Sequence, residues 1–99
     1  MNELVYISVN NKEQYDRVIR IAENNGFKTR GNSSSLPVDI YLCIKDAVEG
    51  SWLKDVIYFS SNDYDLYKTV LPVRIKCDYE DFSEEYLKFI TESDKMGLL

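Results

Sequence analysis

Five carboxylates crowd residues 78–85: Asp78, Glu80, Asp81, Glu84 and Glu85. Two carboxylates facing one bond can act as acid and base, as in glycoside hydrolysis, but that chemistry needs a deep cleft around the substrate. Acids also gather where a solvated loop enters a helix, because negative charge in the first turn complements the helix dipole. A third use is contact with a basic partner, which charge would steer and salt would weaken. A second group is Gly31, Asn32 and Ser33–Ser35, preceded by Lys28 and Arg30. The backbone of such a loop, Ser33 and Ser34 included, can cradle an anion. No Gly-Lys-Ser/Thr follows it, so it is not a P-loop, and a plain solvated connection accounts for it better. Asn62, Asp63, Tyr64 and Asp65 offer oxygen ligands but lack the glycine and terminal glutamate of a calcium loop; a turn or helix cap explains them. Trp52, Tyr58, Tyr64, Tyr67 and Tyr79 stand near expected loops and strand ends. Large amphipathic rings there serve either as interface anchors or as core.

Composition removes several classes of chemistry. The 99 residues contain no histidine, which excludes Ser-His-Asp and Cys-His machinery and histidine metal ligands. The two cysteines, Cys43 and Cys77, form no CxxC pair and sit on expected strands, where cysteine is usually a small buried apolar residue. No metal and no cofactor is expected. Twelve basic groups face 17 acidic ones, a net charge of −5, with most of the excess in the second half of the chain. Such a balance disfavours direct binding to nucleic acid and suits a basic protein partner or plain solubility. Residues 1–9 have neither a basic segment nor a long apolar stretch, and no run of apolar residues is long enough to span a bilayer. No leader and no membrane association are expected, and a cytoplasmic location follows.

The elements that must position these groups follow from periodicity. Val5, Ile7 and Val9 alternate with Tyr6 and Ser8, a half-buried strand. Asn10 is the expected cap of the next helix, with Glu13 reaching back to it. Tyr15, Val18, Ile19 and Ala22 form its apolar stripe, and Asp16, Arg17, Arg20 and Glu23 its polar side. Asn25, Gly26 and Phe27 read as a Schellman stop. Residues 27–30 are a short second strand, and residues 39–45 a strand apolar on both faces, hence central. Residues 55–60 pair with it antiparallel. Residues 61–69 are a short helix or an ordered loop. Residues 73–77 are the last strand. Ser83 caps a second helix whose stripe is Phe82, Tyr86, Phe89 and Ile90, with Leu87 beside it. The expected fold is a single α+β domain: a small mixed or antiparallel sheet of four to five strands with two helices, in the order β-α-β-β-β-β-α, both helices on one face.

A strand, a helix ending Asn25-Gly26-Phe27, an aliphatic strand, an Ile57-Tyr58 strand and a helix opening Phe82-Ser83-Glu84-Glu85 make the chain resemble many small proteins encoded by phages and prophages. The resemblance runs over residues 6–9, 15–27, 41–44, 56–58 and 82–89. It implies action by binding host factors, components of antiviral defence among them, and carries no catalytic residue. The leading expectation is a non-enzymatic inhibitor of a host protein in the host cytoplasm. Its binding residues would be Trp52, Tyr64, Tyr67, Asp78, Tyr79, Glu80, Asp81, Glu84 and Glu85. The alternative is an oligomer that sequesters a small molecule or nucleotide signal through Arg17, Arg20, Lys28, Arg30, Ser33 and Ser34. An enzyme working through carboxylates or Cys43 ranks third. The sequence leaves the oligomeric state open.

Overall fold

A computed structural model describes residues 3–29, 35–45, 53–59 and 73–95 of the chain. The elements run β1 (Glu3–Val9), α1 (Lys12–Asn24), β2 (Lys28–Thr29), β3 (Val38–Cys43), β4 (Val56–Phe59), β5 (Val73–Lys76), one turn of 3-10 helix (Tyr79–Asp81) and α2 (Glu84–Lys95). The strands form one mixed sheet in the order β2-β4-β3-β1-β5. β1 pairs antiparallel with β3 and parallel with β5; β4 pairs antiparallel with β3 and parallel with β2. β1 and β2 therefore run the same way with β3 and β4 inserted between them, and α1 makes the crossover. The expected α+β class and element order hold, and β3 lies at the middle of the sheet.

Register explains the core. Ile75, Val5, Leu42 and Ile57 lie side by side across β5, β1, β3 and β4, and Ile7, Ile40 and Phe59 form the next row. Both rows share one buried cluster with Val18 and Ala22 of α1 and with Phe82, Leu87 and Ile90 at α2, so both helices cover the same face. On the other face Tyr6, Tyr41 and Tyr58 form a row that ends at Lys76. The Tyr6 and Tyr41 rings lie 5.5 Å apart between centroids. Leu4, Tyr41, Cys43 and Tyr58 are buried there. β1 is thus more than half-buried, because Leu4 fills the second face while Val5, Ile7 and Val9 fill the first. Cys43 and Cys77 are not joined in a disulfide and lie in different clusters.

Three local expectations need correction. The α1 cap is Asn11, whose side chain accepts from the Gln14 N–H at 2.9 Å; Gln14 in turn accepts from the Asn10 N–H at 2.8 Å. The cap lies one residue later than expected, and Gln14, in place of Glu13, reaches back past it to the N–H of Asn10. The second strand starts at Lys28 and not at Phe27, and among the described residues it is Lys28–Thr29. It is held by the Lys28 N–H donating to the Asp55 carbonyl, while the Asp55 N–H donates to Cys43, both at 2.8 Å. Asp55 takes the left-handed conformation (φ 63°) that lets one residue bridge three strands. Phe89 leaves the expected apolar stripe: it is 68% exposed, whereas Leu87 and Ile90 are buried.

The Schellman stop forms as the sequence implies. The Phe27 N–H donates to the Ala22 carbonyl and the Gly26 N–H to Glu23, at 3.1 and 3.2 Å, with Gly26 at φ +91°. A Cβ on Gly26 would meet nothing within 4 Å, so the only cost of a side chain is backbone strain. Gly26→Ala should therefore cost about 1 kcal/mol. Leu42→Ala, at the centre of the first core row, should cost about 3 kcal/mol. Urea unfolding of the two variants checks both values and their order.

Candidate functional site

The acidic residues expected to act together are brought together. β5 ends at Lys76, and the chain turns through the 3-10 helix into α2 within seven residues. The Asp81 N–H donates to the Asp78 carbonyl and the Phe82 N–H to Tyr79, at 2.9 and 3.1 Å, closing the turn. Ser83 caps α2 as expected, its hydroxyl accepting from the Tyr86 N–H at 3.1 Å. Asp78, Glu80, Asp81, Glu84 and Glu85 are all exposed on this short path. Among the described residues only Asp78 has a cationic partner, Lys76 at 3.9 Å, and that pair is solvated. Surface pairs of this kind contribute little. The segment therefore presents nearly uncompensated negative charge on a backbone fixed by its own hydrogen bonds.

Arg17 locks the turn to α1. Its guanidinium donates to the Phe82 carbonyl at 3.0 Å and lies over the Tyr79 ring, 5.3 Å from the centroid. Phe82 itself is buried against Tyr86, with ring centroids 6.4 Å apart. Arg17 is thus a strut for the acidic turn, half-buried and facing inward. Arg20 is exposed on α1, and Lys28 sits on the strand at the opposite edge of the sheet from β5. Of these three cations, expected to share an anion, Arg17 is taken up by the turn and Lys28 lies at the far edge of the sheet. Arg30, Ser33, Ser34, Trp52, Tyr64 and Tyr67 lie outside the described residues.

An open, polar cleft of about 170 Å³ adjoins the turn. It lies at the carboxyl ends of the parallel pair β1 and β5, beside the start of α1. Ser8, Asn10 and Gln14 line one side; Lys76, Asp78 and Glu80 line the other. Much of the polar wall already has partners. The Ser8 hydroxyl donates to Asp39 at 2.6 Å, and the Gln14 carbonyl oxygen is taken by Asn10. Glu80 is left as an acceptor and Asp78 is only loosely paired with Lys76, an arrangement that a lysine or arginine side chain from outside could enter. Among the described residues no group of three or more cysteine, aspartate or glutamate side chains is placed to hold a metal ion. The one buried nucleophile nearby, Cys77, donates its S–H to the carbonyl of Asp78 at 3.4 Å, and burial pushes its thiol up. A thiol held protonated is a poor nucleophile.

Two features of this region escaped the sequence reading. Arg17 reads from the sequence as one of the cations of the anion-binding alternative, and nothing in the local pattern says that α2 will pack beside it. Phe89 was assigned to the core by its spacing from Phe82 and Tyr86. The wheel held a warning, for Phe89 stands about 160° from Leu87 around the helix. If Leu87 and Ile90 define the inside, Phe89 lies toward the outside.

Protein-family models, curated protein sequences and solved structures were all compared with the chain, and none of them matches it. Among the described residues no helix is long and apolar enough to cross a membrane.

The strut and the buried ring beneath it are open to measurement. Arg17→Met should lower stability by about 1–2 kcal/mol, because it removes a charge-assisted hydrogen bond and leaves the Phe82 carbonyl without its donor. Urea titration reads the loss. Burial, then the adjacent Cys77 and the Asp81 carboxylate, push the Tyr86 phenol up to about 12 from its ordinary 10. In that window the unfolded chain has released the proton that the folded chain still holds. Stability present below pH 10 is therefore lost as pH rises toward 12. Tyr86→Phe should flatten this part of the pH profile relative to the parent, as read by urea midpoints between pH 9 and 12.

Proposed function

We propose that this chain is a non-enzymatic interaction protein that docks a basic partner protein on the acidic turn 78–85. One observation carries the reading: five carboxylates stand exposed on a turn that Arg17, the Ser83 cap and the buried Phe82 hold in place. A fixed array of like charges steers an oppositely charged partner and loses less entropy on binding than a mobile one. The cleft beside it adds a place where a cationic side chain can enter between Asp78 and Glu80. Helix stabilisation alone supports only part of the pattern. Glu84 and Glu85 lie in the first turn of α2, where each is worth about 0.3–1 kcal/mol, but Asp78, Glu80 and Asp81 precede the helix.

The partner's identity rests on the resemblance to phage and prophage proteins: a host protein of antiviral defence or nucleic-acid handling whose own ligand is acidic. Binding on such a protein's basic surface would inhibit it by occupying the place of a phosphate backbone. Tyr79 belongs to this surface as the ring that seats Arg17, and it lines the cleft.

The reading is tested by affinity capture from host lysate with the parent chain and with a variant carrying Glu80→Gln, Asp81→Asn, Glu84→Gln and Glu85→Gln. The parent should retain a stoichiometric partner that the variant loses, with affinity falling at least tenfold as salt rises from low to moderate. The variant should remain folded, since it loses at most about 2 kcal/mol of helix-end stabilisation. Recovery of the same partner by both chains, or of none by the parent at either salt, overturns the reading.

A further inference from the structure

Phe89 is the most exposed large apolar side chain among the described residues, 68% against 58% for Leu53 and 39% for Leu36. A single exposed apolar residue is ordinary. The setting of this one is different. It sits in the interior of α2, with Glu85 one turn before it and Glu92 one turn after, both exposed on its solvent side. Tyr86 flanks it on the core side, half-buried. Through Glu84 and Glu85 this face continues into the acidic turn without a break. Lys88, next to Phe89 in sequence, is exposed as well, so Glu85 and Glu92 outnumber a single cation here. An aromatic ring on a rigid helix, set among mainly acidic groups, has the form of an interface hot spot: a ring with few rotatable bonds at the centre and polar groups around it.

We propose that Phe89 is the apolar anchor of the docking surface, and that the occupant is an amphipathic basic segment of the partner protein. One apolar residue of that segment packs on the Phe89 ring, and its lysines or arginines meet Glu85 and Glu92. This rests on the acidic turn being the docking surface for a basic protein. Charge complementarity selects the occupant. A second copy of this chain, itself at net −5, would bring Glu85 and Glu92 of both copies together across a two-fold interface with one Lys88 from each to offset them, and the excess of like charge opposes association. A basic segment turns the same carboxylates into attraction, and a cation over the ring adds to it.

Two synthetic peptides of about 18 residues, roughly five helical turns, separate the contributions. One carries lysine and leucine at helical amphipathic spacing; the other has serine in place of each leucine. Each is titrated by calorimetry at low salt into the full chain and into Phe89→Ser. The lysine–leucine peptide should bind the parent at least tenfold more tightly than the lysine–serine peptide. Phe89→Ser should abolish that advantage and leave lysine–serine binding unchanged, with the thermal midpoint of the free protein unmoved because the ring is exposed. Equal binding of the two peptides to the parent, or an advantage that survives Phe89→Ser, overturns the anchor while the acidic turn keeps its role. Binding of neither peptide overturns both. Sedimentation of the free chain completes the test: a dimer that Phe89→Ser dissociates would mean that a second copy occupies this face, and the proposal fails.

Discussion

β1 is hydrogen-bonded along both edges, antiparallel to β3 over six residue pairs and parallel to β5 over four. Every other element takes its position from that strand. Because side chains alternate, the antiparallel register places Val5 beside Leu42 and Ile7 beside Ile40 on one face, and Tyr6 beside Tyr41 on the other. A slip of one residue would exchange the aliphatic rows with the tyrosine row and leave α1 and α2 facing phenol groups. The parallel pairing has a different consequence. It sends β5 out of the sheet at the same end as β1, so the chain after Lys76 emerges beside the start of α1. The Cys77 N–H donates to the Tyr6 carbonyl at 2.9 Å, extending that pairing to the edge of the turn.

The acidic turn inherits its rigidity from this geometry. Carboxylates repel one another, and a free loop would let them spread into solvent. Here the 3-10 hydrogen bonds, the Ser83 cap and the buried Phe82 hold them on a short path. Arg17 supplies a cation beneath the turn, and it is spent on a carbonyl and a ring. Its charge is drawn beneath the turn, and the outer surface stays acidic. The same packing that seats Phe82, Leu87 and Ile90 against the sheet turns Phe89 outward. Scaffold and surface are thus two sides of one short helix.

Much of the scaffold was legible from local pattern. The alternation in residues 5–9, the Asn25-Gly26-Phe27 stop, the two-faced apolar run at residues 39–45 and the Ser83 cap each depend on residues a few positions apart, and each formed where expected. The errors are local as well. Asn10 and Asn11 are both competent caps, and the choice between them turned on whether Glu13 or Gln14 would reach back. Phe89 and Phe82 look alike on a helical pattern until Leu87 decides which arc is inside. For the site, the acidic cluster could be read because its members are neighbours in sequence. The strut could not, since Arg17 and Phe82 are 65 residues apart and meet only because both helices pack on the same face.

The sequence by itself determined the order of strands and helices, the Asn25-Gly26-Phe27 stop and the Ser83 cap, the class of fold and the sign of the net charge. These follow from periodicity, turn chemistry and composition, which act over a few residues or add over the whole chain. Tertiary structure decided the strand order, the parallel placement of β5 beside β1, the capture of Arg17 by the turn and the exposure of Phe89. Those depend on which apolar rows can be buried together, and burial is a property of the packed sheet and its two helices.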